Sequence, residues 1–327
     1  MTDAATLELL LLILRGEAPP RPLDEDTWMD LIRAACHQTV AGLLYKAAEN
    51  FPQGSTLSER VLFTLMAEVN RVVNRNLKLG EVEKEVLEIL RSGGLDPVVM
   101  KGSTCAARYP SPQLRTCGDI DLFVPKADFP RAVELLKARG IECSPKPDSS
   151  VDCTLKGCEV ELHRRYFDLH LRESRLPKVG TPEAELLMLS AHILKHACGV
   201  GVGLRQIMDF ALAYKAYPGD YQQLHELFRR CHLSRWNVLL LSFVKDYIDP
   251  GVEVPSHVDS SELFRIVARG GNFGHFQENR LQSIQRSAFR RKLDTFGRLL
   301  SNFRFSLRYA PREFFSFLTE LLRENLH

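Results

Sequence analysis

The sequence predicts an α+β protein: a small mixed β-sheet core over residues 89–175, between an N-terminal helical region (1–88) and a C-terminal helical region (176–327). Three observations lead there. Apolar residues recur at helical spacing before residue 90, short β-type runs crowd together between 97 and 163, and capped helical patterning returns at Thr181.

Along the chain, Leu9 to Leu14 form an apolar burst, preceded by Asp3 and Glu8 and broken by Gly16 and Pro19-Pro20. Without a cationic lead-in it is a poor signal peptide, and it is too short to span a bilayer, so a packed helix is expected. Residues 58–78 carry Leu62, Leu65, Val69, Val72 and Val73 at helical spacing; a second helix over 79–92 carries Val82, Val86 and Leu90 and stops at Gly93-Gly94. The period then changes. Pro97 to Met100 reads as a short strand, and Lys101-Gly102-Ser103 as a turn into a short helix. Asp128 and Pro130 open a helix lined by Phe129, Val133 and Leu136 and closed by Gly140. Strands follow near 141–144, 151–155 and 158–163, the last two joined by a Lys156-Gly157 turn. Thr181 caps the next helix, with Pro182 in its first turn and Glu183 and Glu185 near its positive end.

Composition narrows the function classes. Hydrophobic and charged contents of 45% and 26% are those of a globular protein, and a formal net charge of +2 gives no global reason to expect nucleic-acid binding. None of the eight cysteines forms a Cys-x-x-Cys pair, so they read as reduced thiols, several of them buried, rather than zinc ligands. No 18-residue apolar stretch occurs, and a cytoplasmic location is expected.

The most informative run is Gly118-Asp119-Ile120-Asp121-Leu122-Phe123-Val124. Period-two alternation makes it a strand, with Asp119 and Asp121 on one face and Ile120 and Leu122 turned to a core. Two like charges this close repel one another and lose hydration on packing, which a cation relieves. Hard oxygen donors suit Mg²⁺, which shares its remaining positions with water and phosphate oxygens. Upstream, the Gly102-Ser103 turn offers backbone N–H groups and a hydroxyl to a phosphate. Downstream, Glu159 and Glu161 each lie between apolar residues, and either supplies a third carboxylate. Three carboxylates can hold two divalent ions ~3.5–4 Å apart across an in-line phosphoryl displacement.

These residues, in this order, resemble the nucleotidyltransferase superfamily of DNA polymerase β and kanamycin nucleotidyltransferase. Its marks are an apolar strand ending in Gly-Gly or Gly-Ser, an Asp-x-Asp/Glu between apolar residues, and a later carboxylate between apolar residues. The fuller pattern is Val99-Met100-Lys101-Gly102, Tyr109-Pro110, Arg115, Gly118-Asp119-Ile120-Asp121 and Glu161-Leu162-His163. It is similar to an uncharacterised bacterial subgroup that carries Lys-Gly in place of Gly-Gly. The motifs span about 65 residues, and the helical flanks around His192, His196 and Leu204 to Asp209 share a weaker likeness.

The resemblance implies a small mixed-sheet nucleotidyltransferase core. It implies transfer of a nucleoside monophosphate from an NTP, ATP by default, to an acceptor, with release of pyrophosphate and use of two Mg²⁺ ions. Asp119, Asp121 and Glu161 would be the catalytic and metal-binding residues; Leu162-His163 favours Glu161 over Glu159. Gly102, Ser103, Lys101 and Arg115 would face the triphosphate. Lys101 departs from the wider superfamily, which has glycine there. The acceptor carries a hydroxyl or an amine; a small metabolite, a saccharide and a protein all qualify.

Other candidates carry bland readings as well. His163 reads as a supporting or structural residue. His192 and His196 have metal-ligand spacing, but Ile193 and Leu194 stand where a metalloprotease helix would place its glutamate, so Lys195 and His196 are better read as nucleotide contacts. Asp209 reads as an internal helix-to-helix partner. Between Arg265 and Arg312, ten arginines and Lys292 face only Glu278 and Asp294 and are interleaved with aromatics. That mixture suits single strands, a membrane surface or an anionic acceptor, while Phe296, Leu299, Leu300, Phe303 and Leu307 follow helical spacing and read as core. Two alternatives to nucleotidyl transfer stay open: an Asp-x-Asp nucleotide-sugar glycosyltransferase and a non-catalytic nucleotide-binding regulatory protein.

Overall fold

A computed structural model of the chain describes residues 2–49, 57–146, 150–199, 201–271 and 302–323. The chain divides into two compact units, Leu62–Phe167 and a second that joins Met1–Val61 to Asp168–His327.

In chain order the elements are α1 (Ala4–Leu14), α2 (Glu25–His37), α3 (Ala41–Glu49), α4 (Glu59–Ser92), β1 (Val98–Val99), α5 (Ser103–Ala106), β2 (Ile120–Phe123), α6 (Phe129–Ala138), β3 (Glu142–Pro145), β4 (Val151–Leu155) and β5 (Cys158–His163). After them come α7 (Pro182–Cys198), α8 (Leu204–Lys215), α9 (Tyr221–Arg230), α10 (Ser234–Tyr247), α11 (Ser261–Gly270) and two helices at Phe303–Tyr309 and Pro311–Arg323. The mixed α+β class holds.

The helices expected at 58–78 and 79–92 are one continuous 34-residue helix, α4. Gly80 stands near the expected break, but a glycine inside a helix costs only about 1 kcal/mol relative to alanine. Buried Leu79, Val82, Val86 and Leu90 offset that cost. The real stop is Gly94, at φ +79°, where Leu95 N–H donates to Leu90 O and Gly94 N–H to Arg91 O. That left-handed closure favours glycine.

The sheet has five strands in the order β1-β2-β5-β4-β3. β2 runs parallel to β5, and the other neighbouring pairs are antiparallel, so the sheet is mixed. Lys156 and Gly157 both take positive φ, 50° and 71°, as a tight turn between β4 and β5 requires. One face of β2 and β5 carries Ile120, Leu122, Val160 and Leu162, all at most 3% exposed. They share a core with Val82, Val86 and Leu90 of α4 and with Phe129, Ala132 and Leu136 of α6. Burying each large side chain stabilises by roughly 1.5–3 kcal/mol. Alternation therefore puts Asp121, Glu161 and His163 on the opposite face.

In the helical unit, Thr181 Oγ1 accepts from Ala184 N–H at 3.2 Å and caps α7. Buried Gln38, at the end of α2, accepts from Leu204 N–H and donates to Val267 O, at 2.9 and 3.1 Å, tying the first helices of the chain to the later ones. Asp209 is buried on α8.

Residues 272–301 of the basic, aromatic segment lie outside the described residues. At its described end the expected stripe is not the buried one. Phe303 is 39% exposed and Leu307 half-buried, whereas Phe305 and Tyr309 are buried. Trp236 sets this side, its ring meeting that of Phe305 edge-on at 6.1 Å.

Candidate functional site

The parallel register of β2 and β5 pairs Asp121 with Glu161 directly. Ligand atoms of Asp121, Glu161 and His163 all lie within 4.8 Å of one another, and they are the single such group of His, Cys, Asp and Glu side chains among the described residues. Asp119, half-buried just before β2, is not a member of it.

Asp121 is 3% exposed, and both of its oxygens are engaged. His163 Nε2 lies 2.9 Å from Oδ1, and Lys101 Nζ 3.1 Å from Oδ2. A buried carboxylate without such partners would be strongly destabilising. Glu161 Oε1 accepts from Ser150 Oγ at 2.7 Å and from Lys146 Nζ at 3.1 Å. Lys146 also reaches Asp152 at 2.7 Å. Burial alone would lower the Lys146 pKa, but the bond to Asp152 and the charge of Glu161 outweigh it and hold the ammonium above its ordinary value. Glu161 Oε2 points the other way, 3.8 Å from His163 Nε2.

Two carboxylates and an imidazole converging on one face fit a divalent cation: the oxygens suit Mg²⁺, and the imidazole extends the choice to softer ions. His163 Nε2 can donate to Asp121 or offer its lone pair to an ion, depending on its tautomer.

The phosphate-side residues divide. Gly102 has φ +73°, a conformation that side chains rarely adopt, so glycine is required at this turn. Ser103 Oγ is within 2.7 and 2.9 Å of the two Glu83 oxygens on α4. Burial raises the Glu83 pKa, and the Ser103 bond only partly opposes it. Arg115 is buried, its guanidinium 3.3 Å from Cys117 Sγ. Asn76 pins that loop, donating to Gln113 O and Arg115 O and accepting from Cys117 N–H. Lys195 and His196 belong to the helical unit. Lys195 Nζ pairs with Asp168 Oδ1 at 2.9 Å, and the His196 ring meets that of His192 edge-on at 4.5 Å.

The model of a family of uncharacterised nucleotidyltransferases matches residues 24–249, more than half of the chain. The chain belongs to that family. Membership supports nucleotidyl transfer as the general function, with an NTP as substrate. No curated protein and no solved structure matches the chain. No described helix is long and apolar enough to cross a membrane.

Sequence reasoning missed Lys146, Ser150 and Glu83. A signal for the first two was present. The Lys156-Gly157 turn fixes the pairing of β4 with β5, setting Asp152 opposite Glu161 and the preceding hairpin beside it. Glu83 had no local signal, because it lies on a helix 20 residues before Ser103.

Proposed function

We propose that the protein transfers a nucleoside monophosphate from an NTP, ATP by default, to a hydroxyl- or amine-bearing acceptor, releasing pyrophosphate. The observation that carries this reading is the Asp121–Glu161 register, which sets two carboxylates and His163 together on the sheet face away from the core. Asp119, Asp121 and Glu161 are the proposed Mg²⁺ ligands, with His163 as a further donor. When bound, Mg²⁺ neutralises phosphate charge and acidifies the attacking hydroxyl.

The side chains have distinct tasks in this reading. Lys101, held 3.1 Å from Asp121, is a resident cation that can pass to a β- or γ-phosphate oxygen when the triphosphate arrives. Gly102 lets the backbone approach the phosphates closely, and Ser103 adds a hydroxyl. Arg115 orders the loop that leads into the Asp119–Asp121 strand. Ser150 and Lys146 hold one oxygen of Glu161 and leave Oε2 for the acceptor proton. The acceptor atom bonds to the α-phosphorus, the bond from that phosphorus to the bridging α–β oxygen breaks, pyrophosphate leaves with the electron pair, and the proton goes to Glu161.

The test is incubation with Mg²⁺, an acceptor panel and cell extract, using ATP labelled at the α- or the γ-phosphate. Transfer of α-label without γ-label, lost in Asp121→Asn, is expected. Transfer of γ-label, or transfer from nucleotide-sugars alone, would overturn the reading.

A further inference from the structure

A second chemistry lies on the β3–β4 hairpin. Cys143 and Cys153 face each other across the antiparallel pair, with their sulfurs 3.1 Å apart. Their position in the ladder follows from the hairpin end, where Lys146 N–H donates to Ser150 O at 2.9 Å. Bonded and non-bonded pairs alternate along an antiparallel ladder. Counting from 146–150 through 145–151 and 144–152 makes 143–153 a non-hydrogen-bonded pair. At such a pair the Cα atoms approach to about 4.5 Å and the side chains are closest. That separation lies within the range a disulfide spans.

The two thiols are also unequal. Cys143 is half-buried and Cys153 fully buried. Burial and the bond to Cys143 push the Cys153 thiol well above its ordinary pKa, keeping it protonated. Cys143 is thus the sulfur an oxidant reaches first, and Cys153 the one that completes the bond.

We propose that Cys143 and Cys153 form a reversible disulfide-forming site that takes a two-electron oxidant of the hydroperoxide class. The Cys143 thiolate attacks the peroxide O–O bond, giving a sulfenic acid and hydroxide (water, once protonated). Cys153 sulfur then displaces the sulfenic hydroxyl, which leaves as water with the Cys153 proton. The sum is two thiols and one hydrogen peroxide giving one disulfide and two waters, with both sulfurs oxidised and the peroxide reduced. The bond staples β3 to β4 three residues short of Lys146 and Ser150, the two side chains that hold Glu161. Its effect on catalysis rests on the nucleotidyltransferase reading; the chemistry does not.

The test uses the full-length protein. After peroxide treatment, alkylation under denaturing conditions and peptide mapping should show Cys143 linked to Cys153, lighter by two hydrogens (about 2 Da) and restored by dithiothreitol. Amide exchange across the hairpin should slow by about tenfold or more, because a short loop is closed. Cys143→Ser should abolish the link. In Cys153→Ser, the Cys143 sulfenic acid should persist long enough for capture by dimedone. The proposal is overturned if both thiols stay alkylatable after peroxide, if other cysteines link instead, or if wild-type Cys143 proceeds to sulfinic acid unlinked. Activity is not read, so this outcome is separate from that of the labelled-ATP experiment.

Discussion

Each unit of the molecule holds an aspartate engaged by one histidine and one lysine, and only one of the two has a metal-site geometry. Asp121 meets His163 and Lys101 at 2.9 and 3.1 Å; Asp168 meets His192 and Lys195 at 3.3 and 2.9 Å. The chemistry of the pairs is the same. Their surroundings differ. The partners of Asp121 come from β5 and from the turn after β1, and Glu161 stands beside it as a second carboxylate. Both partners of Asp168 come from one face of α7, and no second carboxylate completes a donor group among the described residues. Asp121 is 3% exposed and Asp168 36%. A neutralised aspartate thus occurs in both units, and it is the strand register that gives one of them a geometry that could hold a cation.

The largest expected effect separates the two aspartates. Asp121→Asn should abolish Mn²⁺ binding, followed by its electron paramagnetic resonance signal, and lower transfer by about 10³-fold, equivalent to ~4 kcal/mol. Asp168→Asn should leave Mn²⁺ affinity unchanged; a loss equal to that of Asp121→Asn would end the distinction. Next, Glu161→Gln should slow transfer by about 10²-fold. Ser150→Ala should slow it by roughly tenfold, since a hydrogen bond to a charged group is worth about 1.5–3 kcal/mol. An unchanged rate for Ser150→Ala would remove the hairpin from the site.

The third effect is on stability and follows from pH. Partial burial of a side chain still 36% exposed would raise the Asp168 pKa, but the His192 bond and the Lys195 charge outweigh it and hold the carboxyl well below its ordinary value. A depressed folded-state pKa stabilises at pH above the unfolded value of about 3.9 and ceases to do so as pH falls through the folded value. The Tm deficit of Asp168→Asn should therefore be full at pH 7 and shrink as the pH drops below about 4. A deficit independent of pH would show that charge is not what holds the cluster. The smallest effect concerns Glu83, whose carboxylate engages the Ser103 hydroxyl and would repel a phosphate bound there. Glu83→Gln should tighten NTP binding by about twofold in calorimetry, roughly 0.4 kcal/mol; weaker binding would assign Glu83 to the productive site.

Much of this was legible because alternation is local. Asp119 to Val124 announced a strand with a carboxylate face and a core face, and buried Ile120 and Leu122 with Asp121 opposite follow from a period of two. Caps were equally local: Thr181 and Gly94 act within a few residues of themselves. The break expected between residues 78 and 79 failed because even the nearby Gly80 costs less than the core gains from an unbroken α4. The bond of His163 to Asp121 was not legible, because it depends on which strand lies next to β5.

The sequence by itself determined the mixed architecture, the two faces of β2 and the turn at Gly102, each readable from neighbouring residues, while the reaction class rested on the family resemblance. Tertiary structure alone decided what touches what. It placed Asp121 opposite Glu161 on the neighbouring strand, put Lys101 and His163 on separate oxygens of one carboxylate, and joined the first 61 residues to the last helices in one unit. Local pattern fixes which way a side chain faces, but its neighbour across a sheet is set by strand order and register, and those are settled only when the whole core packs.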